Sequence, residues 1–183
     1  MEEKRLLETL FRELFQTERS AQRHCRVEAD RLGTTPPAAA LRAVARDADA
    51  ILQELPALAR RHGLPVSGSG IAIGTLFSMV RVTIADHCLD AERSYRGTLL
   101  GARHGVDLVR LIRVTARSPQ HRELTQWCDA WLARREPLVE EVAHQLVWWG
   151  QHPSRARQAA QKGVLSRNVQ RVFGNASTAR APG

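Results

Sequence analysis

The chain has 183 residues, 43% apolar and 25% charged, which suits one globular domain with a substantial core and leaves too little for two. No run of about 18 apolar residues occurs, so no membrane-spanning segment is expected. The net charge of +8 is concentrated at one end: residues 150–183 hold Arg155, Arg157, Lys162, Arg167, Arg171 and Arg180 and no acid, while the remaining 21 bases nearly balance the 19 acids. A nucleic-acid reading therefore attaches to the tail alone.

Ala, Leu, Arg and Glu dominate and aromatics are only 5%, a mixture that favours helix because these side chains lose little rotamer freedom there. The amphipathic start MEEKRLLETLFREL lacks the apolar stretch of a signal peptide. Three widely spaced cysteines, Cys25, Cys88 and Cys128, form neither a disulfide framework nor a CxxC zinc pattern, which points to a cytoplasmic protein.

The first predicted helix, A, covers roughly 3–32. Its stripe is Leu7, Phe11, Leu14, Glu18, Ala21, Cys25, Glu28 and Leu32, the alternation of three and four that suits bundle packing. Gly33 ends it, and Thr35-Pro36 starts helix B over 36–62, with Leu41, Ala45, Ala48, Leu52, Leu55, Ala59 and His62 inward and a kink expected at Pro56. Residues 63–79 read as a Gly/Ser loop followed by an apolar segment lying across the bundle. Helix C is expected over 80–117, with Ala85, Cys88, Glu92, Tyr95, Leu99, Ala102, Val106 and Val109 inward. Gly97, Gly101 and Gly105 permit close approach of a neighbour, or the helix breaks near Gly105. Helix D follows Ser118-Pro119 and runs to about 149, with Leu124, Cys128, Trp131, Leu138, Val142 and Trp149 inward and a bend at Pro137. Residues 1–149 thus form the bundle, and 150–183 a basic, partly disordered tail.

Glu18 and Glu92 carry chemistry because each sits inside an apolar stripe, and a buried carboxylate must be neutralised, paired with a base or bound to a metal. Glu141 and His144 are three apart on helix D, close enough to reach one point. Helix B offers Asp47 and Asp49, on the flanks of its stripe, without a histidine. Counting from the turns sets Glu18 level with Asp49, and Glu92 level with Glu141 and His144. A connection from B to C running the length of the bundle would bring both sets to one height.

One long crossover, single glutamates on A and C, and Glu-x-x-His on D resemble the ferritin-like superfamily over roughly residues 3–149. The TERS sequence of the opening helix, the A–B turn and the small-residue-rich helix B are similar to bacterial stress-associated ferritin-like proteins of unknown function. The resemblance implies an all-α, four-helix ferritin-like bundle in which Glu18, Glu92, Glu141 and His144 are metal ligands; helix B departs from the family pattern and offers Asp47 and Asp49 instead, so the expected site is degenerate or partial. Iron or manganese is the implied metal, with none bound if the site is degenerate, and the implied role is non-catalytic or weakly metal-binding.

The alternative reading of the same glutamates is pairing with arginine, which makes the chain a metal-free all-α interaction module. Arg19, Arg93 and Arg96 are sequence neighbours that could serve. His24 with Glu28 reads as a surface group, the cysteines as small core fillers, and Trp148-Trp149 as a cap on the bundle end. In the tail, Leu165, Val169 and Val172 or Phe173 share one face of a short helix, and Arg167 and Arg171 another. That segment suits docking on its own bundle, on another copy of the chain, on an acidic protein or on nucleic acid.

Overall fold

A computed structural model describes residues 2–66, 90–116 and 121–158, and the described residues are almost wholly helical. Four long helices, α1 (Glu2–Leu32), α2 (Pro36–Arg61), α3 (Ala91–Thr115) and α4 (Arg122–His144), are followed by the short α5 (Leu146–Gln151) and α6 (Pro153–Ala156). None is long and apolar enough to cross a membrane among the described residues.

The α1–α2 turn forms where its residue types demand. Gly33 adopts φ +68°, a left-handed conformation that only glycine enters freely. Arg42 from the next helix donates to the Ala29 and Gly33 carbonyls at 3.1 and 2.7 Å, which fastens the start of α2 to the end of α1. Thr35 is extended, and Pro36 begins α2 with its φ already helical.

Cross-helix pairs fix the packing. Along α1 and α3, Glu28 meets Ser94 while Glu13 meets His104; along α2 and α4, Asp47 meets Arg135 and Arg61 meets Glu123; along α3 and α4, Tyr95 meets Val142 and Arg113 meets Asp129. With the tight α1–α2 turn, each long helix runs antiparallel to two neighbours, in the order α1, α2, α4, α3 around a shared core. α2 therefore finishes where α1 and α4 begin, and α3 begins at the other end.

Two helix boundaries differ from expectation, the start of helix C and the end of helix D. Helix C does not run through from 80: Asp90 is extended, and α3 starts at Ala91. Residues 80–89, like Ser118-Pro119 and the tail's 164–173 stretch, lie outside the described residues. α3 is continuous through Gly105, where a Cβ would lie 3.3 Å from Thr17 Cγ2 and 3.9 Å from Trp131; Gly105 is the point of close approach, whereas Gly97 and Gly101 face open space. Helix D ends at His144 rather than about 149, with α5 and α6 following, so the expected boundary at 149/150 falls inside α5. The Ala91 N–H donates to the Gln158 carbonyl at 2.7 Å, which ties the start of the basic segment to the start of α3. Trp149 is buried against Tyr95 with ring centroids 5.6 Å apart, closing that end.

Candidate functional site

The only fully buried cluster of opposite charges among the described residues lies at mid-height and is centred on Arg135. Its Nη2 donates to Glu18 Oε2 at 2.7 Å and its Nε to Asp47 Oδ2 at 2.8 Å, so one guanidinium joins α1, α2 and α4. The side chains of Arg135 and Glu18 are 1% and 0% exposed. The planar fork of arginine explains the choice of base: its donors leave in fixed directions, which suits two carboxylates arriving from different helices. The guanidinium carbon stands 4.8 Å from the centroid of the Trp131 ring, one turn earlier on α4, which adds a cation–π contact. Gly105 is part of the same construction, since its missing side chain leaves room for Trp131 and Thr17.

Burial raises the Glu18 carboxyl above the usual glutamate range. Arg135 draws it back toward ionisation and Asp47 pushes the other way. Arg135 itself is held protonated: burial opposes its charge, and the two carboxylates more than offset that. Glu18 Oε1 and Trp131 Nε1 are both buried without a hydrogen bond of standard geometry, although the indole lies close enough to favour the ionised carboxylate.

The other residues expected at this site are elsewhere. Asp49 faces the outside of the α1–α2 pair, where it accepts from Gln22 and, at 2.5 Å, from Arg26. Glu92 is paired with Arg96 one turn along its own helix, and is 27% exposed. It stands near the level of Arg31 on α1, whose Nη2 donates to the Ala91 carbonyl; that is about twelve residues, or roughly 18 Å, from the level of Glu18. Glu141 is exposed and accepts from Gln145 at 2.6 Å, and His144 is exposed. Both lie six to nine residues past Arg135, roughly 9–14 Å along α4. The expected convergence of six ligands is thus reduced to Glu18 and Asp47, and the cation between them is a guanidinium.

The arrangement does not fit a dinuclear metal. Glu18 and Asp47 already share a fixed positive charge, and the remaining carboxylates and the histidine are too distant to complete a coordination sphere. Among the described residues, no group of three or more His, Cys, Asp or Glu side chains is disposed to hold a metal ion. Neither cysteine among the described residues is a poised nucleophile: burial pushes the Cys25 and Cys128 thiols up to about 12, and a thiol so held is inert at neutral pH.

A second buried acid corrects the reading of Glu28 as a surface group. Glu28 is buried, accepts from Ser94 Oγ at 2.8 Å and pairs with Arg31 on its own helix. Tyr95, three residues after Glu92, donates to the Val142 carbonyl at 2.8 Å and fastens α3 to α4.

No family model, no curated protein and no solved structure matches the chain.

Proposed function

We propose that this chain is a metal-free interaction protein built on a ferritin-like four-helix bundle, in which Arg135 takes the central position that a metal would hold. The observation that carries the reading is the pair of short hydrogen bonds from one buried guanidinium to Glu18 and Asp47. Such a cluster contributes little net stability, because desolvation offsets most of the attraction, but it enforces one register on three helices. The neighbour order α1, α2, α4, α3, with α2 and α3 starting at the same end, supports the ferritin-like topology and one lengthwise connection between them.

Metal analysis tests the reading directly. Protein purified without a histidine tag, incubated with Fe(II) or Mn(II) and desalted, is expected to retain well under one equivalent per chain. Stoichiometric retention of either metal would overturn the metal-free reading and restore a partial carboxylate site.

The partner-binding element in this reading is the basic segment 150–183, whose six bases and lack of acids complement an acidic protein surface. Its anchorage through Gln158 to Ala91 supports departure of the tail from one defined end of the bundle. The full chain is expected to bind polyglutamate with an affinity that falls as salt rises, and a chain ending at Gln158 to bind it more weakly. Equal binding by the two would remove the tail from the proposal. Preference for a DNA duplex over polyglutamate would change the partner class.

A further inference from the structure

At the end opposite to the tail's anchorage, two histidines meet across two helices. His62 caps the C-terminus of α2, and His121 immediately precedes α4, with ring centroids 5.7 Å apart. The His62 side chain is 7% exposed. His62 Nε2 and His121 Nδ1 are both buried without a hydrogen-bond partner. The carboxylates stand off: Glu123 Oε2 is 3.7 Å from His62 Nε2, and Glu3 Oε1 is 3.9 Å from His121 Nε2. Glu123 also pairs with Arg61 at 2.8 Å. The charged groups facing the pair are thus Glu3 from α1, Arg61 from α2 and Glu123 from α4; α3 makes no ion pair with either ring among the described residues.

We propose that His62 and His121 form a proton-sensitive latch, which holds the end of α2 against the start of α4 while both rings are neutral and releases it when they are protonated. Two neutral rings can pack together in a dry corner. Two imidazolium rings at that separation repel each other, and Arg61 adds a third positive charge against two carboxylates, of which Glu123 is already engaged by it. Burial holds His62 below the ordinary histidine value of 6.5; Glu123 opposes that shift, and His121 and Arg61 reinforce it. The sign follows: a base depressed in the folded state contributes stability above its unfolded value, and that stability is lost as pH falls. The affected backbone is short and well marked. The Leu64 N–H donates to the Ala59 carbonyl at 2.8 Å, and Leu64 is buried, so opening the latch frees an amide that is otherwise protected.

Histidine ring NMR and amide hydrogen exchange on the full chain test the latch. The ring signal lost in His62→Gln identifies His62, which is expected to titrate below an unstructured histidine. His121→Gln should raise that titration point and Glu123→Gln should lower it, and both readings remain available if His62→Gln folds poorly. Protection of the Leu64 amide, corrected for intrinsic exchange, should fall by up to about tenfold per pH unit below 6.5 until the His62 value is reached. Protection of the Gln145 amide at the far end should not follow it. A His62 titration at or above that of free histidine, shifts of the wrong sign in the two neighbours' variants, or a Leu64 protection independent of pH would each overturn the proposal.

Discussion

Glu18 and Glu92 look alike in the sequence and end in opposite environments. Each interrupts an apolar stripe, with Leu14 and Ala21 around one and Cys88 and Tyr95 around the other. Glu18 is fully buried and answered by an arginine from another helix; Glu92 is on a flank, answered by Arg96 on its own. The difference comes from stepping along α3. From Tyr95 the stripe continues toward the N-terminus either three residues, to Glu92, or four, to Ala91, and a 3.6-residue helix permits both. The folded chain buries Ala91. A buried acid needs a partner; Arg135 reaches across the core to Glu18 and has no counterpart at Glu92.

The most forceful way to break this comparison is Arg135→Ala. It strands two carboxylates without their base, one fully buried and one nearly so. Removing one partner of a buried ion pair typically costs about 3–5 kcal/mol, and chemical denaturation should show a loss of that order. A loss under about 1 kcal/mol, the range of an exposed pair, would mean that the cluster is hydrated and that Glu18 is no different in kind from Glu92.

Much of this organisation was legible in advance, and the exceptions have one cause. α1 and α2 follow the stripes and cap residues closely because their signals are local: apolar spacing, Gly33, and Thr35-Pro36. α2 and α3 start at the same end, and the segment that joins them lies largely outside the described residues. Arg135 was missed although the signal was present. The inward series on α4 is Leu124, Cys128, Trp131, Arg135, Val139 and Val142, and the arginine falls where the spacing demands an inward residue. The inference that made Glu18 informative applies to it unchanged. Glu28 was passed over likewise. Glu92 does lie near the level of His144, as counting from the turn between helices C and D sets it, but joining that pair to the level of Glu18 relied on a helix C beginning at 80, and α3 begins eleven residues later. Register between helices is set by packing, which single-helix periodicity does not contain.

Glu18→Gln sharpens the comparison through its pH dependence. The Glu18 carboxyl is raised in the folded state, so its contribution to stability is fully present below the unfolded glutamate value and is lost as pH rises through the folded one. Glutamine resembles the protonated form and keeps an acceptor for Arg135, which retains Asp47. At pH 4 the two proteins should be of similar stability; at pH 7 the variant should be equal or more stable, by on the order of 1 kcal/mol. Denaturation across that pH range checks it, and a variant that loses ground as pH rises would show that the ionised Glu18 is net favourable.

The α3 glycines divide along the same line between core and surface. Gly97→Ala and Gly101→Ala place a methyl group in open space on a helix and should each stabilise by about 0.5–1 kcal/mol. Gly105→Ala sets a Cβ 3.3 Å from Thr17 Cγ2, so the same helix gain is offset by a forced shift of α1, and thermal melting should rank it below both. Equal gains at all three positions would place Gly105 outside the packed interface.

The smallest effect is expected at Glu92. Glu92→Gln removes an (i, i+4) pair with Arg96, worth about 0.2–0.5 kcal/mol, and a negative charge from the first turn of α3, where the helix dipole favours one by about 0.3–1 kcal/mol. Both terms act near solvent and are screened, so the summed loss should stay below about 1 kcal/mol and shrink as salt is raised. This is the counterpart of Arg135→Ala, whose loss should be nearly indifferent to salt because its charges are inaccessible to ions. Measuring both variants at low and high ionic strength therefore separates the two environments without reference to their absolute stabilities. A Glu92→Gln loss of several kcal/mol that persists at high salt would mean that Glu92 turns inward in solution, and it would reopen the carboxylate site that its position on α3 otherwise removes.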